Sequence, residues 1–271
     1  MDYIQQAIDK AREERQGNIG GSDDSASTSK SSDSVEISKS ETDGVASINY
    51  TRTRQVQLDD DVLRNNRIIA GFKYDQRAEV YRQLRTQVLQ KLRANSWATL
   101  AVTSPNESAG KTVTAVNLAI ALSKEVNQTV LLVDLDLQNP SVHKVLGVDV
   151  QGGVIDHLNG DKDVAELMLN PSLDRLVILP GRSDPEYSSE ILSAPKMQAL
   201  LKDLTGRYES RIIIFDIPSL LVNDDALLFI PFIDSVLLVL ENGVTTEEEV
   251  EQCMQMLEGT SLLGTVLNKA E

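Results

Sequence analysis

Beyond position 97 the apolar residues gather in short unbroken runs: Ala98 to Thr103, Val130 to Val133, Leu176 to Leu179, Ile212 to Phe215, Val236 to Leu240 and Thr265 to Leu267. Runs rich in Val, Ile and Leu without strict polar alternation mark strands buried on both faces, as in a parallel sheet between layers of helices. The intervening stretches carry apolar residues at helical spacing. They predict helices over Thr112 to Lys124, Ser189 to Thr205, Asp224 to Phe229 and Thr246 to Leu257. Ahead of the first strand, Tyr81, Leu84, Val88 and Leu92 recur near every 3.6 residues and predict a helix over Asp75 to Ala94. The class is α/β, with a mostly parallel β-sheet flanked by helices.

The first third of the chain follows another pattern. Ile4, Ala7, Ile8 and Ala11 sit at helical spacing among charged residues, so residues 1–16 read as a short amphipathic helix able to dock on a partner. Gly17 to Ser47 is dense in Ser, Asp, Gly and Thr. Such a stretch buries too little apolar surface to offset its ordering entropy, so 17–67 is expected to be a disordered linker and 68–271 the folded domain.

With 271 residues and 41% hydrophobic content the chain can build one substantial domain with a tail. Its net charge of −15 argues against nonspecific binding to DNA or to anionic lipid, and no nucleic-acid partner is expected. Cys253 is the sole cysteine, which excludes an intramolecular disulfide and a cysteine metal cluster; His143 and His157 are too few for a histidine site. No apolar run reaches the ~20 residues of a membrane span, and the polar start lacks the blocks of a signal peptide, so the expected location is cytoplasmic.

Between the first strand and the helix after it lies Ser104-Pro-Asn-Glu-Ser-Ala-Gly-Lys-Thr112. A loop in that place presents backbone N–H groups and a helix N-terminus to phosphate oxygens, with a lysine at the terminal phosphates and a Ser or Thr hydroxyl on magnesium. Ser108, Ala109, Gly110, Lys111 and Thr112 supply these parts, although Pro105 stands where the strict G-x-x-x-x-G-K-[ST] pattern has glycine. Two later strands end in acids, Leu131-Leu-Val-Asp134-Leu-Asp136 and Ile212-Ile-Ile-Phe-Asp216-Ile-Pro218. One such aspartate alone reads as a strand-ending turn. Three of them, at the strand ends where α/β sheets bind ligands, read as a metal and phosphoryl-transfer site, making the fold P-loop NTPase-type.

Together the G-K-T, L-L-V-D-x-D and I-I-I-F-D-x-P segments resemble the Walker A, A′ and B motifs of the bacterial tyrosine kinases of capsule and exopolysaccharide synthesis, relatives of the MinD and ParA ATPases. The resemblance spans about Glu79 to Lys269 and includes Leu179-Pro-Gly-Arg182, Ser189-Glu-Ile-Leu-Ser193 and Val266-Leu-Asn-Lys269. The opening Tyr3-Ile-Gln-Gln-Ala-Ile8 is similar to that of the exosortase-associated subgroup. The resemblance implies ATP and Mg2+ as cofactors. It implies Lys111 on the terminal phosphates, Thr112, Asp136 and Asp216 around the metal, Asp134 activating the acceptor hydroxyl with Asp136 beside it as a further catalytic acid, and Asn268 near the adenine. It further implies that Glu79, Arg82 and Arg85, in the pattern E-x-x-R-x-x-R, join copies of the chain into a ring. The implied partner is the cytoplasmic segment of a membrane polysaccharide copolymerase, which would recruit the chain to the inner face of the plasma membrane.

The chain departs from that family in its acceptor. No tyrosine follows Tyr208, where such kinases carry a cluster, which leaves Tyr3 and Tyr50 as mobile candidates. Tyr74, Tyr81, Tyr187 and Tyr208 lie in or beside predicted helices, where packing or a surface hydroxyl is the expected role. Gln138-Asn-Pro140 replaces a usual basic residue, and Ser219 a usual proline. Three functions follow: a tyrosine kinase; a noncatalytic ATP-binding regulator; or a MinD/ParA-like switch ATPase, against which stands Asn106, where those ATPases carry a second lysine.

Overall fold

A computed structural model describes residues 53–183, 195–206 and 210–270. The expected helix over 1–16, the first part of the linker, Tyr3, Tyr50, Tyr187, Tyr208 and the stretch 189–193 lie outside the described residues.

Eight strands form one sheet: β1 (Arg54–Gln55), β2 (Thr99–Thr103), β3 (Thr129–Asp134), β4 (Leu169–Asn170), β5 (Leu176–Leu179), β6 (Arg211–Asp216), β7 (Ser235–Glu241) and β8 (Leu262–Asn268). They lie in the order β1-β4-β5-β3-β6-β2-β7-β8. All pairs are parallel except β4 with β5. The main helices are α2 (Ala78–Asn95), α3 (Lys111–Ser123), α7 (Pro195–Gly206) and α9 (Glu247–Met256), with short helices α1 (Asp60–Asn65), α4 (Val142–Leu146), α5 (Val154–Leu158), α6 (Val164–Leu167) and α8 (Asp225–Phe229).

The unbroken apolar runs are explained by two cores, one on each face of the sheet. Successive side chains of a strand point to opposite faces. Accordingly Leu131, Val133, Ile213 and Phe215 join the core that holds α5 to α8, while Val130, Leu132, Ile212 and Ile214 join the core beneath α2 and α3. Helix α3 is buried along almost its whole length, which is why its sequence is apolar all round rather than amphipathic.

One expectation is corrected. Residues 53–67, assigned by composition to the linker, are ordered. Asp59 caps α1 by accepting from the amides of Asp61 (2.8 Å) and Val62 (3.3 Å). Leu63 is buried, Asn66 Nδ2 donates to Val145 O at 2.9 Å, and β1 pairs with β4. The segment is too polar to fold by itself and takes its stability from α4 and β4, partners that a local reading of composition does not contain.

Asn117 fastens this segment to α3. It is fully buried; its Oδ1 accepts from the amides of Ile69 (2.8 Å) and Ala70 (2.9 Å), and its Nδ2 donates to Arg67 O (2.9 Å) and Val113 O (2.8 Å). Every polar valence of the side chain is therefore used. Asn117→Ala strands two buried amides and is expected to lower stability in urea unfolding by about 2–4 kcal/mol, with early hydrogen exchange at Ile69 and Ala70.

Candidate functional site

The loop from β2 to α3 is set by two positive φ values, 63° at Ser108 and 94° at Gly110. Gly110 serves as N-cap without any side-chain bond, so the first amides of α3 are left to an external acceptor. A Cβ at Gly110 would lie 2.0 Å from Asn268 Nδ2, which itself donates to Ala109 O at 2.8 Å. Asn268 thus stands against the back of the loop.

Pro105, the misfit of the sequence pattern, has an anchoring place. Its carbonyl accepts from Leu221 N at 3.0 Å, and Ser104 O accepts from Leu220 N at 2.8 Å. Asn106 Nδ2 donates to Glu249 Oε1 at 2.6 Å, so the position of the switch ATPases' second lysine is tied to α9.

Register brings the acids together. Asp134 and Asp216 are direct partners at the ends of β3 and β6, both fully buried. Lys111 Nζ lies 2.6 Å from Asp136 Oδ2 and 3.6 Å from Asp216 Oδ1. Thr112 Oγ1 donates to Asp216 Oδ2 at 2.6 Å. Asp134 Oδ2 accepts from the amides of Ser141 (2.9 Å) and Val142 (3.0 Å), and its Oδ1 from Asp136 N at 3.3 Å. All five predicted residues, Lys111, Thr112, Asp134, Asp136 and Asp216, therefore meet at one place.

Three carboxylates around one ammonium leave an excess of negative charge. Burial, and then the charge of Asp216, push the Asp134 carboxyl up, against the Val142 amide and Lys111. Burial also raises Asp216, although Lys111 and Thr112 oppose it. For Lys111 burial works against the charge, yet Asp216 and Asp136 outweigh it and raise the ammonium above its ordinary value. Asp216 Oδ1 has no hydrogen-bond donor, only the distant ammonium.

The donor set suits a hard divalent cation: a threonine hydroxyl, carboxylate oxygens and one buried oxygen without a donor. Among the described residues no three His, Cys, Asp or Glu side chains form a protein-only metal cage. Magnesium on phosphate oxygens needs only one or two protein ligands, so the two observations agree.

Ser141 belongs to the site and was not read from the sequence. Thr112 spends its one hydrogen on Asp216, so the 2.9 Å contact with Ser141 makes the serine the donor to Thr112. The available signal was a serine before the apolar-periodic V-H-K-V-L, a helix-start pattern. Gly181 was read only as part of a motif; a Cβ there would lie 3.0 Å from Asp134 Cγ.

Not every candidate joins the cluster. Arg82 pairs with Glu79 at 2.7 Å on the exposed side of α2, and Arg85 pairs with Glu125 at 3.2 Å.

The family described as the CobQ/CobB/MinD/ParA nucleotide binding domain matches residues 100–270. The chain belongs to this nucleotide-binding family. Within it, the chain is similar to the tyrosine-protein kinase Wzc of Salmonella typhi, 27% identical over 203 residues that make 74% of this chain and 28% of that protein. It is similar also to the tyrosine-protein kinase YwqD of Bacillus subtilis, 27% identical over 70% of this chain and 80% of that one. Among solved structures, the kinase domain of Escherichia coli tyrosine kinase ETK superposes with a TM-score of 0.68 at 26% identity, covering 75% of this chain and 82% of that domain. The chain thus spans about a quarter of the length of Wzc and most of YwqD.

Gly110→Ala places a methyl against Asn268 and forces an L side chain into positive φ, at a cost of about 1–2 kcal/mol for the backbone alone. Calorimetric titration is expected to show binding of nucleotide with Mg2+ weakened by about tenfold or more.

Proposed function

We propose that the chain is an ATP-dependent protein-tyrosine kinase, a P-loop phosphotransferase acting in the biosynthesis and export of exopolysaccharide or capsule. The observation that carries this is the convergence of Lys111, Thr112, Asp134, Asp136 and Asp216 at the N-terminus of α3, in a chain whose relatives are named tyrosine-protein kinases.

Bound Mg-ATP would supply the phosphoryl group, with the ion neutralising charge on its oxygens. The chain's own residues do the rest. The amides of residues 107–112 and the Lys111 ammonium would hold phosphate, the lysine turning from Asp136 to phosphate oxygens. Thr112, Asp136 and Asp216 would offer oxygens to the ion, with Ser141 keeping the Thr112 hydroxyl aimed. Asp134 Oδ2 is held by two amides and Oδ1 by a single longer bond from Asp136 N, so Oδ1 would be the oxygen with a lone pair to take the phenol proton. Its raised proton affinity matches it to a general base. We assign Asn268 to the adenine end, since it abuts the loop at Ala109.

The partners we infer are a second copy of the chain, through Glu79, Arg82 and Arg85, and the cytoplasmic segment of a polysaccharide copolymerase that holds the chain at the membrane. Among the described residues no helix is long and apolar enough to cross a membrane. The second reading, a noncatalytic ATP-binding regulator, is favoured by Gln138 and Ser219, which stand where the kinases the chain resembles carry a basic residue and a proline.

The test is phosphotyrosine formation from Mg-ATP, with a partner-derived cytoplasmic segment present. The wild-type chain is expected to label, while Lys111→Met and Asp134→Asn fall by about 100-fold or more, the usual loss on removing a charge-stabilising or proton-accepting group. Nucleotide binding without label supports the regulator, and phosphate release without label the switch ATPase.

A further inference from the structure

Two tyrosines lie among the described residues, and they differ sharply. Tyr81 is half-buried against the core beneath α2 and α3, and burial raises its hydroxyl above the ordinary phenol value. Tyr74 is 90% exposed, in the turns between Gly71 and the start of α2, and its hydroxyl has no hydrogen-bond partner among the described residues.

Tyr74 also borders a cleft of about 520 Å³ lined by Arg64, Phe72, Lys73, Asp75, Gln76 and Arg77. Three cations face one carboxylate there, a local excess of positive charge in a chain of net charge −15. Arg64 lies over the Phe72 ring at 3.9 Å and 3.8 Å from Asp75, while Arg77 pairs with Asp75 at 2.7 Å. Arginines on exposed, shared pairings are ready acceptors for a dianionic phosphate.

We propose that Tyr74 is a phosphoacceptor of this chain, modified by a second copy, with Arg64, Lys73 and Arg77 receiving the phosphate. The proposal rests on the kinase reading. Its intermolecular character follows from the fold. Lys124, at the C-terminal end of α3, donates to Gly71 O at 3.2 Å, so the Tyr74 turn adjoins that end, whereas the phosphate loop is at the other. The 13 residues of α3 separate them by about 20 Å. In the transfer, the Tyr74 phenolic oxygen attacks the γ-phosphorus of Mg-ATP held by the other copy. The new phenol O–P bond forms, the bond to the β–γ bridging oxygen breaks, ADP leaves, and the phenol proton passes through the donor copy's carboxylates to water. The phosphate then competes with Asp75 for Arg77 and Arg64.

The experiment mixes wild-type chain with tagged Lys111→Met chain and Mg-ATP, and maps phosphotyrosine by tandem mass spectrometry. Phosphate is expected on Tyr74 of the tagged chain, which cannot label itself. Tyr74→Phe is expected to lose that label while still phosphorylating an exogenous tyrosine copolymer at the wild-type rate. Label confined to Tyr3, Tyr50, Tyr187 or Tyr208 overturns the proposal and leaves the kinase reading standing. Label on Tyr74 that never crosses between chains overturns the intermolecular step. Wild-type chain that labels neither itself nor the copolymer contradicts the kinase reading, and the proposal with it.

Discussion

One ammonium group holds the carboxyl end of the sheet together. Strand pairing places Asp134 and Asp216 opposite one another with no access to water, and Asp136 follows two residues later. Like charges so placed cannot all ionise without a countercharge. Lys111 supplies it, at 2.6 Å and 3.6 Å from two of the three acids. A buried pair that loses one member costs about 3–5 kcal/mol, so the site is stable only while its charges are answered. The same arithmetic favours an incoming cation, because one lysine does not balance three carboxylates.

The surrounding fold serves that constraint. Helix α3 brings Lys111 and Thr112 on its first turn, and its burial between the sheet and α2 fixes where that turn points. Ser104 and Pro105 tie the loop's entry to Leu220 and Leu221, just beyond the Asp216 strand, so loop and acid are held by one connection. Asn268, from the far edge strand, closes the loop from behind through Ala109. Three segments of the chain thus meet at the loop, which explains how it keeps its shape without its usual first glycine: Ser108 and Gly110 provide the positive φ, and Pro105 needs only to anchor.

Much of this was legible in the sequence because the informative residues are consecutive. The apolar runs named six of the eight strands, all but β1 and β4, and strand-then-acid placed Asp134, Asp136 and Asp216 at the carboxyl ends. What stayed hidden depends on partners distant in sequence. The pairing of β1 with β4, the capped helix at Asp60–Asn65 and its seat on α4 draw stability from residues about a hundred positions away or nearly so, while their own composition is that of a linker. Ser141 reads as a helix start, and only the folded chain shows its hydroxyl on Thr112. Tyr74 sits one residue before the span predicted as helix, Asp75 to Ala94; the structure leaves it on a turn, exposed, because α2 begins only at Ala78.

The central claim is that Lys111 trades Asp136 for phosphate when the site fills. A crystal structure of the chain with Mg2+ and a non-hydrolysable ATP analogue tests it most directly. The account requires phosphate density against the amides of residues 107–112, the Lys111 ammonium withdrawn from Asp136, and a cation beside Thr112 and Asp216. A nucleotide bound elsewhere, or one bound at the loop with the Lys111–Asp136 pair intact at its 2.6 Å separation, would contradict it.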